Sequence, residues 1–235
     1  KGRDDLTGDD FLRIVFDINE INQDIRAMRE LITRVLRMSN KMQTIDPKKE
    51  DTLELLVTSL ESTISRIAME SRKIAKLEME NFTEGSIPDR YKVPFKDIAI
   101  QLIKNSLIHG IEHEQERREA NKQPFGTLKF NIENSGDGRF IFKYRDDGTG
   151  LNIEKIKAKA VEMGIYKMAE VETLQTGEVA KLIFNDSFST ADTTTEHAGR
   201  GQGMSLIKEI VSKHKGKMKF SFARGKYFEM SIEFP

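Results

Sequence analysis

The sequence predicts an α+β chain: an N-terminal antiparallel helical hairpin over residues 1–84, then an α/β sandwich over residues 85–235. Two observations predict this division. Apolar residues spaced three and four apart run through the first part, and helical stretches then interleave with two pairs of alternating, strand-like segments. A third observation lies in "HAGRGQGMS", His197 to Ser205, where three glycines at alternate positions precede an apolar helical run.

Each element follows from local pattern. From Phe11 the seam continues through Ile14, Ile18, Ile21, Ile25, Met28, Ile32 and Val35, a heptad stripe on a helix from Phe11 to Met42. Asp46 and Pro47 read as a cap and first helical residue. The second seam runs Leu53, Val57, Leu60, Ile64, Ile67, lapses at Ser71 and resumes at Ile74. Two such helices leave an open seam, which a four-helix bundle of two copies would close. Packing of the hairpin on its own C-terminal domain is the other solution. The expectation is a homodimer through residues 11–80.

"NFTEGSIPDRYKVP", with Gly85, Pro88 and Pro94, breaks the helical pattern and marks the boundary. Phe95 to Ala120 is helical in period. "TLKFNIE" and "RFIFKYRD" alternate like strands around "NSGDG". Ile153 to Met163, Glu178 to Phe184 and Gln202 to His214 read as helices, and "KMKFSFA" and "KYFEMSIEF" form a last hairpin around "RG". Helices among antiparallel hairpins predict a sandwich with helices on one sheet face.

Composition narrows the function classes. The chain has 235 residues, and 38 basic side chains balance 38 acidic ones. That balance removes the electrostatic case for nucleic acid or an anionic membrane. Without cysteine there is no disulfide or thiol chemistry, which fits a reducing cytosol. No segment approaches the ~20 apolar residues of a membrane span. "KGRDDLTGDD" is no signal peptide and reads as a cut from a longer protein, so an upstream sensor or anchor stays open.

The glycines invite two readings, a phosphate cradle at a helix N-terminus or a flexible helix start. A dinucleotide fingerprint would want a strand directly before G-x-G-x-x-G, and a P-loop would want glycine-lysine followed by Ser or Thr; neither pattern fits. In "RDDGTGLN", Asp146 ends a strand, with Gly148 and Gly150 beyond it. Its carboxylate can accept a hydrogen bond from an exocyclic amine such as adenine N6, with the glycines clearing space for a flat ring. A strand-ending turn explains the same residues. In "QLIKNSLIHGIE", the amide oxygen of Asn105 can ligate a hard cation held by phosphates.

Helix with Asn, then D-x-G-x-G after a strand, then a glycine-rich segment before a helix: this order resembles the GHKL (Bergerat) ATP-binding fold. "LIKNSLIHGIE", "ERREANKQPFGTLKF", "DDGTGLN", "LIFNDSFST" and "GRGQGM" further resemble the kinase core of CheA-type chemotaxis histidine kinases, over about residues 95–235. The resemblance implies ATP and Mg²⁺ as cofactors. It implies Asn105 as the Mg²⁺ ligand, His109 near the phosphates, Asp146 at adenine, and Gly148 and Gly150 for approach of the ring. It places Ser189 and Thr190 in a mobile lid. Gly199, Arg200, Gly201, Gln202, Gly203 and Met204 match the phosphate-cradling segment.

There are departures from the family pattern. Gln101 stands where these kinases have His and the ATPases Glu. Ile108 replaces an Asp, and the last hairpin lacks a Thr usual beside adenine. The sequence ends at "IEFP", where the expectation is that no receptor-coupling domain follows.

The four histidines are His109, His113, His197 and His214, so the hairpin carries no phosphoacceptor. His109 and His113 at i, i+4 lack further zinc ligands. The leading reading is a cytosolic bacterial protein-histidine kinase core, with Gln101, Asn105 and His109 at the transfer site. Its partners would be a histidine-bearing transfer domain and a response regulator, with neither nucleic acid nor membrane contacted by this part of the chain. The alternative is a non-catalytic dimeric scaffold with a degenerate nucleotide domain. A hydrolysing ATPase comes third, because no Glu stands at position 101 to activate water.

Overall fold

A computed structural model of the protein describes residues 52–134, 137–185, 188 and 203–235. The predicted helix from Phe11 to Met42 lies outside the described residues. Residues 52–235 form one compact unit.

That unit opens with α1 (Thr52–Glu70) and β1 (Ala75–Glu80). After β1 come α2 (Asp89–Asn105), a π-helical turn (Ser106–Gly110), α3 (Glu114–Glu119) and the hairpin β2 (Gly126–Asn134)–β3 (Phe140–Asp146). Then α4 (Ile153–Glu162), α5 (Met168–Val171), α6 (Thr176–Lys181) and a 3₁₀ turn (Leu182–Phe184) precede α7 (Gly203–Lys213). The hairpin β4 (Lys217–Ala223)–β5 (Tyr227–Phe234) closes the chain. The sheet order is β1-β2-β3-β5-β4. β1 runs parallel to β2 and the remaining pairs are antiparallel.

The alternation read in the sequence sets the layers. Phe140, Phe142 and Tyr144 of β3 and Phe228, Met230, Ile232 and Phe234 of β5 are buried, and the intervening residues face outward. The outer face carries cross-strand ion pairs such as Lys143–Glu133 and Arg145–Glu229. The inner face packs on α1, α2 and α7. This is the expected two-layer α/β sandwich. Adjacent parallel strands need a crossover, and the one joining β1 to β2 is α2 with its π turn. Phe95 anchors α2 to the sheet, its ring meeting Phe142 edge-on at 4.9 Å.

Three expectations change. First, the second seam belongs to this unit: Leu60, Ile64 and Ile67 of α1 are buried in the same core as α2 and the sheet. For residues 52–80 this is the other solution that the sequence left open, since a narrow apolar stripe is satisfied equally well by the protein's own α/β layer. Second, the periodic run does not resume as helix at Ile74. Arg72 adopts a left-handed φ of 52°, Lys73 N–H bonds Ala68 O, Arg72 N–H bonds Met69 O, and the chain leaves as β1. The boundary drawn at residues 84/85 therefore leaves a strand of this sheet on the helical side. Third, the helix expected from Phe95 to Ala120 starts at Asp89 behind Pro88 and stops at Asn105. Pro94 sits inside it, lacking only the N–H that would reach the carbonyl of residue 90.

Candidate functional site

The C-terminal end of β3 and the C-terminal end of α2 meet at a buried carboxylate. Asp146 is 2% exposed. The Ser106 hydroxyl donates to its Oδ2 (2.5 Å), and the Gly148 N–H donates to its Oδ1 (3.1 Å). Tyr144, also buried, donates its hydroxyl to Ser106 Oγ (2.7 Å). Burial pushes the Asp146 carboxyl above the usual carboxylate range, while the bonds from Ser106, Gly148 and the Phe228 amide pull it back. Ser106 opens the π turn, closed by Ile111 N–H to Ser106 O at 2.6 Å. Such widened turns recur at functional sites.

This carboxylate lines a cavity of about 1120 Å³, shared with Gln101, Asn105, His109, Gly150, Gly203, Met204 and the ring of Phe228. Gln101 and Asn105 share one face of α2 at i, i+4. Asn105 reaches the N-terminus of α7, where its Nδ2 donates to Met204 Sδ (2.9 Å). A Cβ on Gly203 would stand 2.8 Å from Asn105 Oδ1, so glycine there permits the close approach. The α7 N-terminus brings its first-turn amides and the positive end of its dipole to the cavity.

Among the described residues the lining holds Arg66, Lys73, Lys104, Lys155 and Arg224 against only Glu70 and Asp146 as carboxylates. That excess suits a polyanion. Lys73 Nζ donates to the π-turn carbonyls of Leu107 (2.8 Å) and Ile108 (3.1 Å). Desolvation lowers its pKa, with Glu116 and Glu112 opposing. Desolvation first, and the Lys73 charge second, hold His109 below the usual imidazole value although part of its surface is open to solvent. A neutral imidazole can serve as either donor or acceptor.

Gly148 and Gly150 also have a packing reason of their own. A Cβ on Gly148 would strike Gly110 O at 2.4 Å, and one on Gly150, at φ +65°, would meet Ala223 O at 2.6 Å. These glycines let the loop after β3 pack on the π turn and on the β4–β5 turn. Thr149 N–H bonds Gly110 O and Gly225 N–H bonds Thr149 O.

Ser189, Thr190, Gly199, Arg200, Gly201 and Gln202 lie outside the described residues. Among the described residues no cluster of three or more His, Cys, Asp or Glu could hold a metal. Asn105 Oδ1 beside the α7 N-terminus is a hard-cation ligand of the right kind, provided phosphate oxygens complete the shell. Sequence reasoning missed Ser106, Tyr144 and Lys73. Tyr144 shares the inward face with Asp146 two positions on, a signal that the period of two could have supplied; Lys73 carried none.

A family model described as histidine kinase-, DNA gyrase B-, and HSP90-like ATPase matches residues 96–235. The chain is 30% identical over 237 residues to the chemotaxis protein CheA of Bacillus subtilis, covering 96% of this chain and 34% of that protein. It is 38% identical over 139 residues to the CheA of Salmonella typhimurium, covering 59% and 20%. With the sensor histidine kinase CheAY of Helicobacter pylori it shares 35% identity over 149 residues, covering 62% and 18%. The chain thus spans about a third or less of these curated relatives.

Proposed function

The chain belongs to the histidine kinase-, DNA gyrase B- and HSP90-like ATPases, with a core of the CheA type, and from that premise we propose that it is the ATP-binding core of a protein-histidine kinase. The γ-phosphoryl of ATP passes to a histidine on a separate transfer domain, and from there a response regulator is the recipient. The observation that carries the reading is the meeting of Asp146, Asn105 and the α7 N-terminus around one cation-rich cavity.

In this reading Asp146 accepts from the adenine amine, and the Phe228 ring forms an apolar wall beside it. The amides at Gly203 and Met204 and the cationic lining hold the phosphates, a role that the family resemblance also gives to Ser189, Thr190 and residues 199–202. Asn105 holds Mg²⁺, which supplies charge neutralisation on the phosphates when bound. His109 faces the phosphates. Gln101 hydrogen-bonds the incoming imidazole and takes no proton. A neutral imidazole already offers a lone pair, so transfer to it needs less help from a base than hydrolysis does. Residues 11–42 join two copies, and the cytosol is the compartment.

Titration with a fluorescent ATP analogue in Mg²⁺ tests this. Wild type should bind, and Asp146→Ala should weaken binding by roughly tenfold or more, the scale of a hydrogen bond to a charged group. Equal affinity in the variant removes Asp146 from the site. A folded wild type that fails to bind favours the scaffold reading.

A further inference from the structure

The peptide joining Asp147 to Gly148 lies between the cavity and a cluster of charges behind it. On the cavity side its N–H, on Gly148, donates to Asp146 Oδ1. On the far side its carbonyl, on Asp147, accepts from Lys122 Nζ (2.8 Å) and Arg117 Nη1 (3.4 Å). A trans peptide points these two groups in opposite directions. Lys122 Nζ also holds Gly148 O (2.9 Å), and Arg117 Nη2 pairs with Asp147 Oδ2 (2.8 Å). Glu112 balances both cations, one oxygen on Arg117 (2.9 Å) and the other on Lys122 (2.6 Å). None of these four side chains lines the cavity.

The local sequence builds the cluster. α3 ends with Asn121 at φ 55°, and Lys122 N–H returns to Arg117 O at 2.8 Å, which sends both cations to one side. Arg117 is fully buried, and its donors go to Gln123 O, Glu112 and Asp147. Burying ion pairs adds little net stability, because desolvation offsets their attraction. What the arrangement does achieve is orientation. Two cations fix the carbonyl of a peptide whose N–H holds Asp146 Oδ1, alongside the bonds from Ser106 and the Phe228 amide, and a polarised carbonyl makes that N–H a stronger donor.

We propose that Lys122 and Arg117 are positioning residues for base recognition, aiming the Asp146 carboxylate at the exocyclic amine of the purine from behind the site. The proposal rests on the reading of Asp146 given above. Its test compares, in the full chain, affinities for ATP and for purine riboside 5′-triphosphate, which lacks that amine. Wild type should prefer ATP by on the order of tenfold to a hundredfold. Folded Lys122→Met should lose most of that preference while binding the purine analogue as wild type does, and Lys122→Arg should retain it. Lys122→Gln replaces the Met variant if that one does not fold. A merely structural role would lower the melting temperature and weaken both ligands alike, which overturns the proposal. A wild-type preference that persists in the folded variant overturns it as well. No preference in wild type overturns the role of Asp146 in base recognition, and this proposal with it.

Discussion

Ser106 carries two roles in one hydroxyl, accepting from Tyr144 and donating to Asp146, which keeps a buried carboxylate satisfied on its protein side. The pH dependence of Asp146 then has two opposite signs. Its folded pKa lies above the unfolded value, so its contribution to stability is fully present below the unfolded pKa and is lost as pH rises through the folded one. Nucleotide affinity runs the other way, since only the ionised carboxylate accepts on both oxygens. From about pH 4 upward, wild type should gain ATP affinity relative to Asp146→Asn while losing stability relative to it. Paired binding and thermal-denaturation profiles check this, and parallel profiles for the two proteins would contradict it. Asp146 and Asn105 were legible because each falls in a motif with a fixed order. Ser106, Lys73 and Lys122 were not, because their roles depend on contacts across the fold: Lys73 meets the π turn 34 residues on.

At the scale of elements, both hairpins were legible from their period of two and their turn residues. The helix ends were less so. Two helices, α1 and α3, end on non-glycine residues in the left-handed region, Arg72 and Asn121, so no glycine marks the stop. β1, "AKLEME", combines helix-forming residue types with too short an alternation to declare itself. The reassignment of α1 gives a direct prediction. Leu60, fully buried between α1 and the rest of the core, should cost about 2–5 kcal/mol when changed to Ala. Urea denaturation of the sandwich should report that loss. An unchanged midpoint would return α1 to a separate helical hairpin.

At the scale of the whole molecule, the proposed homodimer can be tested in the heptad stripe that the sequence shows from Phe11 to Val35. Ile25→Glu would place an unpaired carboxylate in it, an unfavourable burial. Light scattering at tens of micromolar should show a dimeric wild type, a monomeric Ile25→Glu and a still dimeric Leu60→Ala; a monomeric wild type would sink the assignment. The kinase reading has a sharper consequence. The sequence offers no histidine before His109, and His109 lines the nucleotide cavity. An acceptor must approach the γ-phosphate nearly in line, and on the proposed reading that acceptor is a histidine of another domain. Radiolabelled ATP given first to the chain alone, then with a histidine-bearing transfer domain in trans, is the direct measurement. The account predicts no label on the chain and acid-labile label on the added domain. Acid-labile label on the isolated chain, or none on the added domain despite nucleotide binding, would contradict it.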